Sequence, residues 1–112
     1  MSEQVLDVSN KITIDGKEYK FIYVNKAVKY LQKKYGSFTK ATESIRNEHG
    51  EIDIETIADL VYAGLFVNKV YPEFLEVAEW LDDQTLSVAV KIAQFDIPRA
   101  INGTFPEAEE NL

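Results

Sequence analysis

"KITIDGKEYKFIY", residues 11–23, decides the class of the fold. Apolar and polar side chains alternate on both sides of Asp15-Gly16, a strong short-range signal for a two-residue hairpin turn. A type I′ turn needs positive φ at both central positions, which glycine adopts freely and aspartate tolerates. That turn sets Ile14 opposite Lys17 and Ile12 opposite Tyr19. Ile12, Ile14, Tyr19 and Phe21 then share one face, as a half-buried ribbon requires. Two strands alone are marginal in water, so this face must rest on helices.

Helical patterns fill the chain downstream. Asn25 reads as the cap of a helix that stops at Gly36, with Ala27, Val28, Leu31 and Tyr35 on one side and Lys26, Lys29 and Lys33 on the other. Ser37 reads as the cap of a shorter helix carrying Phe38, Ala41 and Ile45, closed by the "NEHG" turn at 47–50. Asp53 caps the next helix, with Ile52 and Ile57 at the two positions of a hydrophobic staple. Pro72 opens a helix over 72–81, and Asp82-Asp83 begins a last one over 84–95. Pro98, Gly103 and Pro106 then break the periodicity. The expected organisation is a flexible lead at 1–10, one globular domain over 11–95, and an extended acidic tail at 96–112. The expected class is α+β, mostly α: an N-terminal β-hairpin packed on a compact bundle of four to five helices.

The helix that begins "IETIADLVYAGL" (54–65) is expected to run to residue 68 as the most buried of the set. Its apolar arc covers more than half of the circumference, and only Glu55, Thr56 and Asp59 form a polar strip. A surface helix needs an apolar arc of only about 100°. Gly64 lies at the centre of the arc, where glycine costs about 1 kcal/mol against alanine in a helix interior. The missing side chain is expected to let another helix cross closely. The final helix is also broadly apolar, with only Ser87, Lys91 and Gln94 polar between Leu86 and Phe95. Such helices are central layers, or keep a face for another chain.

Length and composition narrow the function classes. A chain of 112 residues reads as one domain with a modest core. No run of 18 apolar residues exists to span a bilayer, and the polar start Met1-Ser2-Glu3-Gln4 does not read as a secretory signal. The absence of cysteine excludes disulfides and thiolate metal sites, and fits a reducing cytosol. The net charge of -7 is uneven: residues 1–50 hold nine Lys/Arg against six Asp/Glu, residues 51–112 three against thirteen. Seven lysines at 11–34 interleave with Tyr19, Phe21, Tyr23 and Tyr30, a composition that suits single-stranded nucleic acid. Against this, the hairpin needs Tyr19 and Phe21 for packing, the stretch has no arginine, and the acidic second half repels phosphate. Nucleic acid is therefore disfavoured.

Catalysis has little to stand on. The one histidine, His49, sits in a turn between Glu48 and Glu51 and reads as a solvated loop residue. None of the glycine-rich, nucleophile-elbow or zinc-protease patterns occurs. Asp53, Glu55 and Asp59 lack the glycine and terminal glutamate of a calcium loop, and read as a solvated strip. The expectation is no enzyme and no cofactor, with no catalytic, cofactor-binding or metal residues. Protein binding remains. Trp80 stands off its own helix's stripe of Phe74, Val77, Ala78 and Leu81, among Glu73 and Glu76, and tryptophan is enriched at interface anchors. The competing reading is that Trp80 packs on a neighbouring helix.

The order of elements carries a resemblance. "ITIDGKEYKF" leads into "VNKAVKYLQKKYG", and after a variable middle come "IDIETIADLVYAGL", an acidic helix with Trp80, and a further helix. Over roughly residues 11–95 this resembles the tail assembly chaperones of long-tailed bacteriophages and prophages, especially those of Gram-positive hosts. In that family a strand pair, a lysine-rich helix ending in "YG" and a helix ending in "AGL" recur in this order. The resemblance implies a small chaperone of the bacterial host cytoplasm. It would bind the tape measure protein, with the tail tube protein as a second candidate partner, keeping the tape measure soluble until tube subunits polymerise around it. Protein-binding residues are expected at Val61, Gly64, Leu65 and Trp80, with self-association through the same arcs also open. The alternative is a small nucleic-acid-binding or regulatory protein of a mobile element that uses the lysine-rich first half.

Overall fold

A computed structural model describes residues 10–104. The expected lead at 1–10 lies outside that range except for Asn10, as do Pro106 and the last part of the expected tail. Strands β1 (Lys11–Ile14) and β2 (Lys17–Lys20) pair antiparallel, with Ile14 opposite Lys17 and Ile12 opposite Tyr19. Asp15 and Gly16 take φ of 54° and 81°, as the turn demands. Ile12, Ile14 and Phe21 are buried while Tyr19 is half-buried, so the ribbon's apolar face lies against helices. The fold is α+β and mostly α, as the patterning implies.

Helix α1 (Asn25–Tyr35) begins at Asn25 itself, with Val24 in the cap position and no side-chain cap, and closes on Gly36 at φ 96°. The Gly36 N–H donates to the Gln32 carbonyl at 2.8 Å. Helix α2 (Phe38–Glu43) is capped by Ser37, whose Oγ accepts from the Lys40 N–H at 3.0 Å. A tight turn follows, in which the Asn47 side chain accepts from the N–H groups of His49 and Glu51. Asp53 then caps α3 (Ile54–Gly64) by accepting from the Thr56 N–H at 3.1 Å.

Helix α3 is the centre of the molecule. Thr56 to Val61, Ala63 and Gly64 are all buried, with the hairpin, α1, α2, α4 and α6 around them. It stops at Gly64 rather than at residue 68. The chain leaves the helix through turns that bring the Asn68 side chain against β2, where its amide bonds both the N–H (3.2 Å) and the carbonyl (3.0 Å) of Lys20. A side chain thus covers part of the hairpin's open edge, a place where unpaired backbone groups invite aggregation.

Helix α4 (Phe74–Asp82) starts two residues after Pro72, because the Glu73 N–H donates to the Glu76 side chain at 2.9 Å and sets the first turn there. Asp83 closes α4 and does not open the last helix; α5 (Leu86–Lys91) follows Thr85.

The expected extended tail is corrected over its described part. From Leu86 the helix runs through a π-turn (Ile92–Asp96) into α6 (Ile97–Thr104) without a break. In a regular α-helix the Pro98 ring would clash with the Gln94 carbonyl. Here the helix widens just before it, with the Ile97 N–H reaching back five residues to the Ile92 carbonyl. Ile97 and Ala100 are buried, and Thr104 Oγ1 accepts from the Tyr23 N–H at 3.0 Å. The domain therefore extends beyond residue 95.

Candidate protein-binding surface

The structure does not bring Val61, Gly64, Leu65 and Trp80 together on a surface. Val61 and Leu65 have 0% of their surface exposed, and Gly64 is buried. They belong to the core, and their assignment as protein-binding residues is corrected on that ground. Gly64 does mark a close approach, but to the Phe21 ring beyond β2 and not to a crossing helix. Its carbonyl accepts from the Ile22 N–H at 3.1 Å, which fixes that approach. Trp80 alone remains half-open, packed at the core's edge.

The polar strip of α3 is corrected as well. Asp59 and Thr56 are buried. The Asp59 carboxylate accepts from the Tyr30 hydroxyl (3.1 Å), the Lys34 ammonium (3.0 Å) and the Tyr35 hydroxyl (2.5 Å), all from α1. An ionised carboxylate under an apolar helix is tolerable only with such partners. Burial, followed by the bond to Asp59, pushes Tyr35 up to about 12. Burial and then the Asp59 charge push Tyr30 further up. The arrangement joins α1 to α3.

Exposed apolar surface lies elsewhere. Val70 is 78% exposed and Leu75 is 65% exposed, on either side of Pro72. Together with Tyr62, Tyr71 and Phe74 they line a shallow hollow of about 590 Å³, with Lys69 and Glu73 at its rim. Its floor is stiff. Tyr62 meets Phe66, Phe74 and Tyr71 edge-on at centroid distances of 5.0, 5.7 and 6.1 Å. Two lysines of α1 brace it from the side, Lys26 over the Phe66 ring and Lys34 over the Phe74 ring, each at 5.3 Å. Burial pushes the Tyr62 hydroxyl up, with smaller contributions from Tyr71 and Glu73. Rigid aromatics beside freely exposed aliphatics, framed by charge, are the make-up of an interface core with a polar rim. Leu86 and Phe95, also exposed, lie outside this hollow.

The residues that suit other chemistries are dispersed. His49 is exposed in its turn, with Glu48 at 3.9 Å. Of the lysine-rich stretch's aromatics, Phe21 and Tyr23 are buried and Tyr30 packs on Tyr62 and Phe66, so they offer no open stacking row. No helix among the described residues is long and apolar enough to cross a membrane. No protein-family model matches the chain, and neither a curated protein nor a solved structure does.

Proposed function

We propose that this protein is a tail assembly chaperone of a long-tailed bacteriophage or prophage. In this reading it acts in the host cytoplasm and holds the tape measure protein soluble until the tail tube closes around it. The order of its motifs supports the family, and the hairpin-plus-helices architecture is compatible with it. The observation that carries the reading is the exposed Val70–Leu75 hollow. A tape measure is a long helical chain whose apolar stripes stay open before its tube exists, so alone it aggregates. A shallow apolar hollow with a stiff aromatic floor suits the apolar face of such a helix. The acidic second half of the chain keeps the complex soluble. Repeated weak sites along one client act together, so release needs no single tight contact to break. The client-binding residues of this reading are Val70, Tyr71, Phe74 and Leu75, in place of the buried Val61, Gly64 and Leu65.

The test is co-expression with the long helical open reading frame encoded beside it. The expected result is a soluble client that co-purifies with this protein. A client equally soluble with and without it, and absent from its eluate, removes the chaperone reading. The nucleic-acid alternative draws less support, since two of the basic stretch's seven lysines, Lys26 and Lys34, lie over rings of the protein, Lys34 also pairs with Asp59, and the stretch's Phe21 and Tyr23 are buried.

A further inference from the structure

A second depression lies apart from the Val70–Leu75 hollow. It opens between β1, α4 and the helix that runs through the π-turn, and holds about 220 Å³. Lys11, Trp80, Lys91, Asp96 and Arg99 line it, above the buried Ile92. Residues 51–112 contain only three cations, Lys69, Lys91 and Arg99, and two of them meet here. The π-turn is the cause. Positions five apart on a regular α-helix point roughly 140° away from each other. The extra residue in the turn brings Lys91 and Asp96 onto one side, where Lys91 Nζ lies 3.2 Å from Asp96 Oδ2. Such insertions recur at functional sites. Asp96 is buried and occupies Lys91, whereas among the described residues Lys11 pairs with the exposed Glu18 at 3.8 Å. The Arg99 guanidinium forms no ion pair among the described residues, and the Arg99 carbonyl ties this turn to Asn10 at 3.3 Å.

On its other flank Trp80 borders a second hollow of opposite sign, lined by Asp15, Glu76, Glu79 and Asp83. The ring thus stands between a basic cleft and an acidic one. The basic cleft is smaller than the ~300–1,000 Å³ that drug-sized ligands need, so it has room for a side chain and not for a nucleotide. A polyanion laid across Trp80 would also run into four carboxylates. A chain that carries both signs meets complementary charge on each flank.

We propose that this surface binds an amphipathic helical peptide with a glutamate and a lysine on either side of an apolar anchor. The glutamate carboxylate enters between Arg99 and Lys11, the anchor lies on the Trp80 ring, and the lysine faces Glu76, Glu79 and Asp83. The site is separate from the Val70–Leu75 hollow and does not depend on what that hollow binds.

Trp80 is the only tryptophan, so its fluorescence reads this surface directly. The probe is an alanine-based helical peptide with Glu, Leu and Lys at successive i, i+4 positions. Its companions carry Gln for Glu or Gln for Lys, and inorganic phosphate is titrated separately. The expected result is a saturable Trp80 shift with the parent peptide, weakened by salt. Loss of about tenfold in affinity is expected for the Gln-for-Glu peptide and for Arg99→Gln, as for removal of a charge-assisted hydrogen bond. Glu79→Gln should weaken the parent peptide and leave the Gln-for-Lys peptide unaffected. Both side chains are exposed, so the variants should melt as the parent protein does. A flat Trp80 signal overturns the proposal, as does equal binding of the Gln-for-Glu peptide or of folded Arg99→Gln. A phosphate response matching the peptide's reduces the cleft to a small-anion site and overturns the peptide assignment.

Discussion

Gly64→Ala replaces one hydrogen with a methyl group where the Phe21 ring already fills the space. A Cβ built there falls well inside contact distance of Phe21 Cε1 and Cδ1, and lies 3.1 Å from Cζ. The ring has little freedom to retreat. It is 1% exposed and packs edge-on against Tyr23 at 5.8 Å, whose hydroxyl donates to the Leu60 carbonyl at 3.0 Å. The backbone cannot slide apart without breaking the bond from the Ile22 N–H to the Gly64 carbonyl. Overpacking of this kind costs about 1–3 kcal/mol, and the depth of the overlap places it toward the upper end. The gain from replacing glycine is under about 1 kcal/mol, because Gly64 is the last residue of α3 and its φ is not one that glycine alone adopts. The net expectation is a loss of about 2 kcal/mol, or roughly 8 °C in melting temperature for a domain of this size. Urea denaturation followed by Trp80 fluorescence measures it. Phe21→Ala supplies the control: alone it costs about 3–5 kcal/mol through its cavity, and in that background Gly64→Ala should cost nothing. A single variant within 0.5 kcal/mol of the parent (the usual range for neutral surface changes), or an equal loss in both backgrounds, refutes the steric reasoning.

Three further outcomes follow from the polar core and the exposed hollow. Lys34→Met should cost about 1–2 kcal/mol, the loss for a broken buried pair discounted because Lys34 is half exposed, and its effect should not add to that of Asp59→Asn in a double-mutant cycle. Tyr35 stays protonated in the fold where the open chain has ionised, so the stability it holds is full below pH 10 and is lost as pH rises toward about 12. Melting temperature should therefore fall across that window, less steeply in Tyr35→Phe, and absorbance at 295 nm should count fewer than six tyrosinates at pH 11 until urea is added. Val70→Asp/Leu75→Asp should leave melting and far-ultraviolet circular dichroism unchanged, because both side chains already stand in solvent.

The hairpin was legible because its signal is local: Asp15-Gly16 permits one turn, and one turn sets one register. The caps at Ser37 and Asp53 were legible for the same reason, since each needs only an N–H three residues on. What escaped depends on partners. Pro98 read as a breaker because the local rule holds for an α-helix, and nothing in a single sequence announces that the turn before it widens. Asp59 read as solvated because periodicity sorts residues by polarity and does not see that Tyr30, Lys34 and Tyr35 on α1 present three donors to it. The wide arc of α3 had two solutions, a central layer or a docking face. The packing of α1, α2, α4 and α6 around α3 settles it as a central layer, with Val61 and Leu65 fully buried. The exposed pair leaves a trace in the sequence: Leu75, like Trp80, lies off the Phe74–Val77–Leu81 stripe of α4, and Val70 precedes Pro72 in a segment with no helical period.

The most direct measurement is the solubility of the long helical client co-expressed with Val70→Asp/Leu75→Asp, beside the parent protein and an empty vector. If the hollow is the client's binding surface, the folded double variant leaves the client in the pellet, as the empty vector does, while the parent keeps it in solution. A double variant that folds, retains the client and keeps it as soluble as the parent does would contradict the assignment of client binding to this surface.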